Sequence, residues 1–285
     1  MEAEGGRQAT STTEVTLVAY NRAAVDNPNL VHDPGFARSV GFRDGLVPGV
    51  DVFSYLARAP LGAWGPGWLG EGGLEARFVQ PVYDGDTITI RATRTDPTMV
   101  VEAVNAEGTV CARATAERRI AEPPPDPGRW ADMPLPASPM AATPDALGGV
   151  SELGSLLVSV SEEDARRQLA DVREPSDLYA RTRIVHPGHL LRFADSILAA
   201  NVLLPPWMHV TSRARFFATP GWGEQLTAPA IRGALFEVPG HRFTPLHVLL
   251  AGARGPGLPR THAPPPLPPP CSSTSYASPP FLPPP

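Results

Sequence analysis

Pro48-Gly49 and Pro187-Gly188 each open a stretch that is repeated in this chain. The first runs through the apolar segment Val50–Leu56 to Ala76-Arg77-Phe78, then Pro81 and Asp84-Gly85-Asp86. The second runs through His189–Leu204 to Ala214-Arg215-Phe216, then Pro220 and Gly223-Glu224. The alanine follows the glycine by 27 residues in the first copy and by 26 in the second. Matching features in one order at near-equal spacing mark a duplicated unit.

Each unit reads as a helix followed by strands. Thr87–Arg91 and Met99–Val104 are β-branched and partly alternating, Asn105–Gly108 supplies a turn, and Thr109–Ala116 completes a hairpin. In the second unit the corresponding strands are Gln225–Phe236 and Arg242–Leu250, joined at Pro239-Gly240. A helix ahead of an antiparallel run is an α+β pattern. Proline sets the boundaries. Residues 15–120 form unit 1, 121–150 a Pro-rich linker opened by Pro123-Pro124-Pro125, and 151–250 unit 2. Residues 1–14 are expected to be a disordered N-terminus and 251–285 a Pro-rich disordered tail. By the repeat, a last strand should follow Leu250 as Thr109–Ala116 follows Val104. Proline takes its place, which predicts an open sheet edge.

Composition narrows the function. The net charge is −5 and no basic cluster stands out, which argues against nucleic acid and anionic membrane as partners. All 24 basic residues are Arg, so there is no Schiff-base or P-loop lysine. Cys111 and Cys271 are too few and too far apart for a disulfide framework or a zinc cluster. His186 and His189 could share a helix face, but no third metal ligand accompanies them, and His209 beside Trp207 reads as a packed histidine. The polar N-terminus and the lack of a long apolar run favour a cytoplasmic chain with no membrane partner.

The stretch Asn27-Pro28-Asn29-Leu30-Val31-His32-Asp33, then Ala37, Gly41-Phe42 and Leu46-Val47-Pro48-Gly49, resembles the active-site segment of MaoC-like acyl-CoA dehydratases and (R)-specific enoyl-CoA hydratases. Arg77-Phe78, Pro81 and Asp84-Gly85-Asp86 resemble the family's next landmark. The likeness covers residues 20–116 directly and 180–250 through the repeat. It implies a double hot-dog fold, two antiparallel sheets each wrapped round a central helix. It also implies (de)hydration of an enoyl or 3-hydroxyacyl thioester, carried by CoA or an acyl-carrier protein.

On that resemblance His32 is the acid/base, Asp26 or Asp33 its carboxylate partner, Asn27 a water-orienting group and Gly49 the backbone donor to the thioester carbonyl. No cofactor and no metal are expected, CoA being part of the substrate, and a homodimer is compatible. The chain departs from the family pattern in three ways. Asn27 stands where the family carries its aspartate, Pro48 replaces the usual His before the glycine, and the segment from His32 to Ala37 is one residue short. No histidine occupies the matching place upstream of Gly188, so unit 2 reads as non-catalytic. A thioesterase and an inactive acyl-thioester-binding protein are the alternatives, since one fold hosts several activities.

Overall fold

The computed structural model describes residues 10–24, 27–147, 149–234, 236–238, 241–252 and 272–277. The first repeat comprises β1 (Ser11–Val18), α1 (Pro34–Ser39), α2 (Gly49–Trp64), β2 (Gly73–Phe78), β3 (Thr87–Thr95), β4 (Thr98–Asn105) and β5 (Val110–Glu117). The connecting segment holds β6 (Met140–Ala141) and α3 (Pro144–Leu147). The second repeat begins with β7 (Glu152–Val158), α4 (Glu162–Asp171), α5 (Leu178–Thr182), α6 (Pro187–Asn201) and β8 (Val202–Leu203). It continues with β9 (Met208–Arg215), β10 (Leu226–Arg232), β11 (Phe236–Val238), β12 (His241–Val248), β13 (Ala251–Gly252) and β14 (Ser272–Ala277).

The strand order exposes the duplication. The first half runs β1-β3-β4-β5-β2 and the second β7-β10-β12-β14-β9. β2 pairs antiparallel with β9, so the two halves share one continuous sheet. The repeated tripeptides meet at this seam, where Ala76 faces Ser212 and Leu74 faces Ala214. β14 lies between β9 and β12, the place that β5 holds between β2 and β4. The strand expected to be missing after Leu250 is thus supplied by residues 272–277, beyond the long run of proline. The first unit also starts earlier than expected, at Ser11 rather than residue 15. The other residues of the expected disordered ends, 1–9, 253–271 and 278–285, lie outside the described residues. The connecting segment packs against the second half: Trp130 clusters with Leu249, and β6 pairs parallel with β8.

Period-2 alternation fixes which face of the first sheet is inside. Ile88, Ile90 and Ala92 of β3, Met99, Val101 and Ala103 of β4, and Ala112, Ala114 and Ala116 of β5 are buried. The row of alanines on β5 brings the sheet close to α2, whose residues Val50 to Ala57 are buried without a break. A helix buried all round has packing on every side. The sheet covers one face of α2 and α6 another, and a Cβ on Gly188 would stand 1.7 Å from the Ser54 hydroxyl oxygen. Helices α2 and α6 cross where only glycine fits. Leu191, Ala214 and Phe216 of the second half belong to the same core cluster as α2, so the halves also share hydrophobic packing.

One buried charge cluster crosses the same boundary. Asp51, in the first turn of α2, is 1% exposed and accepts from Arg22 Nε at 2.9 Å and from Arg192 Nη2 of α6 at 2.7 Å. Arg192 also lies 3.8 Å from Asp171 of α4. Two guanidinium groups compensate one carboxylate that has lost its water. Among the described residues no helix is long and apolar enough to cross a membrane.

Asp51→Ala leaves both arginines without their shared partner, and removal of one member of a buried ion pair costs about 3–5 kcal/mol. Chemical denaturation should show a loss of that size, and a loss below about 1 kcal/mol would mean that the cluster is solvated. A second expectation concerns acid. Burial holds His189 down to about 4 and His209 to about 3, and lowers His32 and His186 as well. As pH falls below the ordinary histidine value of 6.5, the unfolded chain takes up protons that the folded chain refuses. Stability therefore declines from pH 6.5 downward, and the urea midpoint should be clearly lower at pH 5 than at pH 7.5.

Candidate active site

The loop between β1 and α2 is built by its own side chains. Asn27 Oδ1 accepts from the Asn29 N–H at 2.9 Å, an Asx turn across Pro28. One 3-10 turn over Leu30–His32 follows. Asp33 then caps α1, accepting from Phe36 N at 2.6 Å, with Pro34 at the first helical position. The returning chain passes so close that a Cβ on Gly45 would stand 2.2 Å from the His32 carbonyl oxygen. The Asn21 amide donates to that same carbonyl at 2.9 Å. His32 is fixed from both sides of its backbone.

The imidazole is as constrained as the backbone. His32 is 8% exposed, and its Nδ1 lies 2.7 Å from the Leu46 carbonyl oxygen. A carbonyl only accepts, so Nδ1 carries the proton and donates, and Nε2 keeps a lone pair. Desolvation lowers the His32 pKa, with Arg22 adding to the effect, while the Leu46 hydrogen bond and Asp51 oppose it. The ring is therefore neutral at neutral pH and basic at Nε2.

His32 lines a cavity of about 350 Å³. Its walls come from both repeats. The first half supplies His32, Asn29 and Leu46 from the loop, Pro48, Gly49 and Val52 from the start of α2, and the Phe78–Val82 stretch that leaves β2. The second half supplies Trp207–Val210 from the start of β9, Phe243 of β12, and Asp195 of α6. Most of this lining is apolar, and the few polar groups can act on a ligand in a low-dielectric setting. The N-cap residue of α2 is Pro48, whose side chain makes no capping hydrogen bond. The first N–H groups of a helix lack intrahelical partners and carry the positive end of its dipole, which suits an oxygen that gains negative charge.

Gly49 is required by packing, for a Cβ there would meet His209 Cβ at 2.7 Å. His209 is wedged against the helix start, packs at a tilt on Phe78 with 4.7 Å between ring centroids, and its Nε2 lies 2.6 Å from the Ser212 hydroxyl. Burial pushes its pKa down to about 3, so it stays neutral and serves as wall.

Of the residues singled out in the sequence, His32 and Gly49 line this cavity, whereas Asn27 and Asp33 shape the loop that carries His32 and are not part of the lining. Asp26 lies outside the described residues. Sequence reasoning missed Asn29 and Asp195. Asn29 donates from Nδ2 to the Trp207 carbonyl at 2.8 Å and accepts from the Trp207 N–H at 3.2 Å, a partner 178 residues away. Asp195, on the helix of the other half, belongs to the same lining. Asn29 stands inside the motif stretch, three residues before His32, but its partner Trp207 is visible only in the fold, and no local pattern joins Asp195 to His32.

The second repeat offers a smaller cavity of about 290 Å³ beside the start of α6, bounded by Pro187, Leu191, Phe216 and Pro220, with Pro124, Pro125 and Pro127 at its edge. The helix start there is already occupied. The Gly188 N–H donates to His186 Nδ1 at 3.1 Å. The cationic group of this lining, Arg215, is paired with Glu122 at 3.1 Å. Among the described residues, the lining of this cavity has no imidazole or carboxylate.

No protein-family model matches the chain, and no curated protein matches it by sequence. Solved structures do. A MaoC-like dehydratase superposes with a TM-score of 0.57 at 12% identity, covering 94% of this chain and 97% of its own. A conserved hypothetical protein of Mycobacterium tuberculosis with a double hot-dog fold gives 0.56 at 14% identity, covering 96% of each chain. A MaoC domain protein from Chloroflexus aurantiacus gives 0.53 at 15% identity, covering 95% of this chain and 94% of its own. The chain has the double hot-dog fold, the architecture also found in MaoC-like dehydratases.

Proposed function

We propose that the protein binds an acyl thioester in the larger cavity and interconverts its 2-enoyl and 3-hydroxyacyl forms by adding or removing water. The observation that carries this reading is the placement of a neutral, buried imidazole and a helix N-terminus whose N-cap side chain makes no hydrogen bond in the lining of one apolar cavity. Hydration needs a base for water and a stabiliser for the charge that the thioester oxygen gains. His32 Nε2 takes a proton from water as the water oxygen bonds to Cβ, and the π electrons move to form the thioester enolate. The backbone N–H of Gly49 stabilises that enolate oxygen. The imidazolium of His32 then returns a proton to Cα, which leaves the ring neutral and the product saturated between Cα and Cβ. The reaction is redox-neutral, and CoA or a carrier thiol enters as part of the substrate.

A second reading, acyl-thioester binding without turnover, is favoured by Asn27. Its amide stands where the resembled family has an acid, and the loop from Asn27 to Asp33 brings no carboxylate to the lining.

Purified protein with short- and long-chain enoyl-CoA should lose the enoyl absorbance without releasing free thiol. His32→Ala should lower that rate by about 10²–10⁴, the usual worth of a positioned acid/base. Thiol release would point to a thioesterase instead, and binding without either signal to the second reading. Because Nε2 works unprotonated and burial lowers its pKa, the rate should hold steady through pH 6.5 and fall only at a more acidic pH. A decline already beginning above pH 6.5 would remove His32 as the base. Gly49→Ala forces the helix start off His209 and should cost about 1–3 kcal/mol of stability along with most of the activity.

A further inference from the structure

We infer that Asn29 is a positioning residue that sets the basicity and orientation of His32 by clamping its loop to the backbone of Trp207 in the second repeat. The inference rests on the hydratase reading for its kinetic part only. The Trp207 N–H can only donate and its carbonyl can only accept, so the two bonds at 3.2 and 2.8 Å fix which end of the Asn29 amide is which. The NH₂ group that results lies 3.4 Å from His32 Nε2. The Leu46 carbonyl already assigns the proton of His32 to Nδ1, so Nε2 is an acceptor facing a donor. Every member of the chain from Trp207 through Asn29 and His32 to Leu46 has one consistent polarity. An Asp in place of Asn29 would set oxygen against the Trp207 carbonyl.

An N–H aimed at Nε2 favours the neutral ring. The long 3.4 Å contact is weak enough for water to compete for the same lone pair. The other charged groups acting on His32 are Arg22, which lowers its pKa, and Asp51, which raises it. Asp195 lines the cavity from α6, and His209 on β9 stays neutral. Asn29 thus adds to what burial and Arg22 already do. It also gives the second repeat a part in the site through main-chain atoms, although its own helix start is closed.

The test compares wild type, Asn29→Ala and Asn29→Asp by histidine ring ¹⁵N NMR titration, thermal melting and enoyl-CoA hydration. In Asn29→Ala the His32 pKa should rise, and kcat should drop about ten- to hundred-fold with KM within two-fold, the signature of a misplaced base. In Asn29→Asp the His32 pKa should rise further, beside a new negative charge. If Asn29→Ala lowers Tm but leaves the His32 pKa in place, the residue is only a structural clamp and the inference fails. Should Asn29→Ala prove too unstable to titrate, Asn29→Ser keeps a polar group too short to span Trp207 and His32, and the same rise is required of it. The NMR result stands without turnover. A shifted pKa in a protein that hydrates nothing would sink the hydratase reading and leave the clamp intact, whereas full activity with an unshifted pKa would do the reverse.

Discussion

The pairing of β2 with β9 is the interaction on which the molecule turns. Two edge strands that would otherwise expose unpaired backbone groups satisfy each other, and one sheet forms from two. Everything at the cavity follows from that seam. The stretch leaving β2 at Phe78 and the stretch entering β9 at Trp207 run side by side because their strands are antiparallel neighbours. The start of α2 is held against both by the fit of Gly49 on His209. A cavity with walls from both repeats is therefore a product of the join and not of either repeat alone.

The same seam explains why duplication did not yield two equivalent sites. A symmetric dimer of one repeat would have two identical cavities, but here each copy is free to differ. The first kept an open helix start and an imidazole beside it. In the second, His186 closes the helix start, and its ring packs at a tilt against the buried Tyr179. Asp51 and its two arginines lie between α2 and α6, an ionic contact that a hydrophobic replacement of similar volume could match in stability. Its directional geometry fixes how the two helix starts sit against each other.

Much of this was legible in the sequence because it is local. The Pro-Gly helix starts, the repeated Ala-Arg-Phe strands and the alternation of β3 to β5 are short-range patterns, and their spacing gave the duplication. His32 and Gly49 were found through motif resemblance, and both belong to the cavity lining. What stayed hidden is long-range. Asn29 meets a main-chain partner that carries no side-chain signature, and Asp195 looks like any polar residue on a helix. The helices α4 and α5 passed unnoticed in a stretch rich in charge. β14 escaped because Ser272–Ala277 is a polar run after many prolines, while its place in the fold comes from ladder hydrogen bonds to β9 and β12 on both sides.

That central position of β14 bears on how the chain folds. β12 ends at Val248, and its sheet neighbour begins only at Ser272, whereas β4 reaches β5 through a turn of a few residues. Closing a longer loop costs more entropy before any contact is gained, and sheets made of distant pairs form slowly. The first repeat can zip from local hairpins. In the second, the gap between β9 and β12 can fill only when Ser272–Ala277 reaches it, and until then both strands present open edges to any other chain nearby. Aggregation during refolding should therefore begin at this gap.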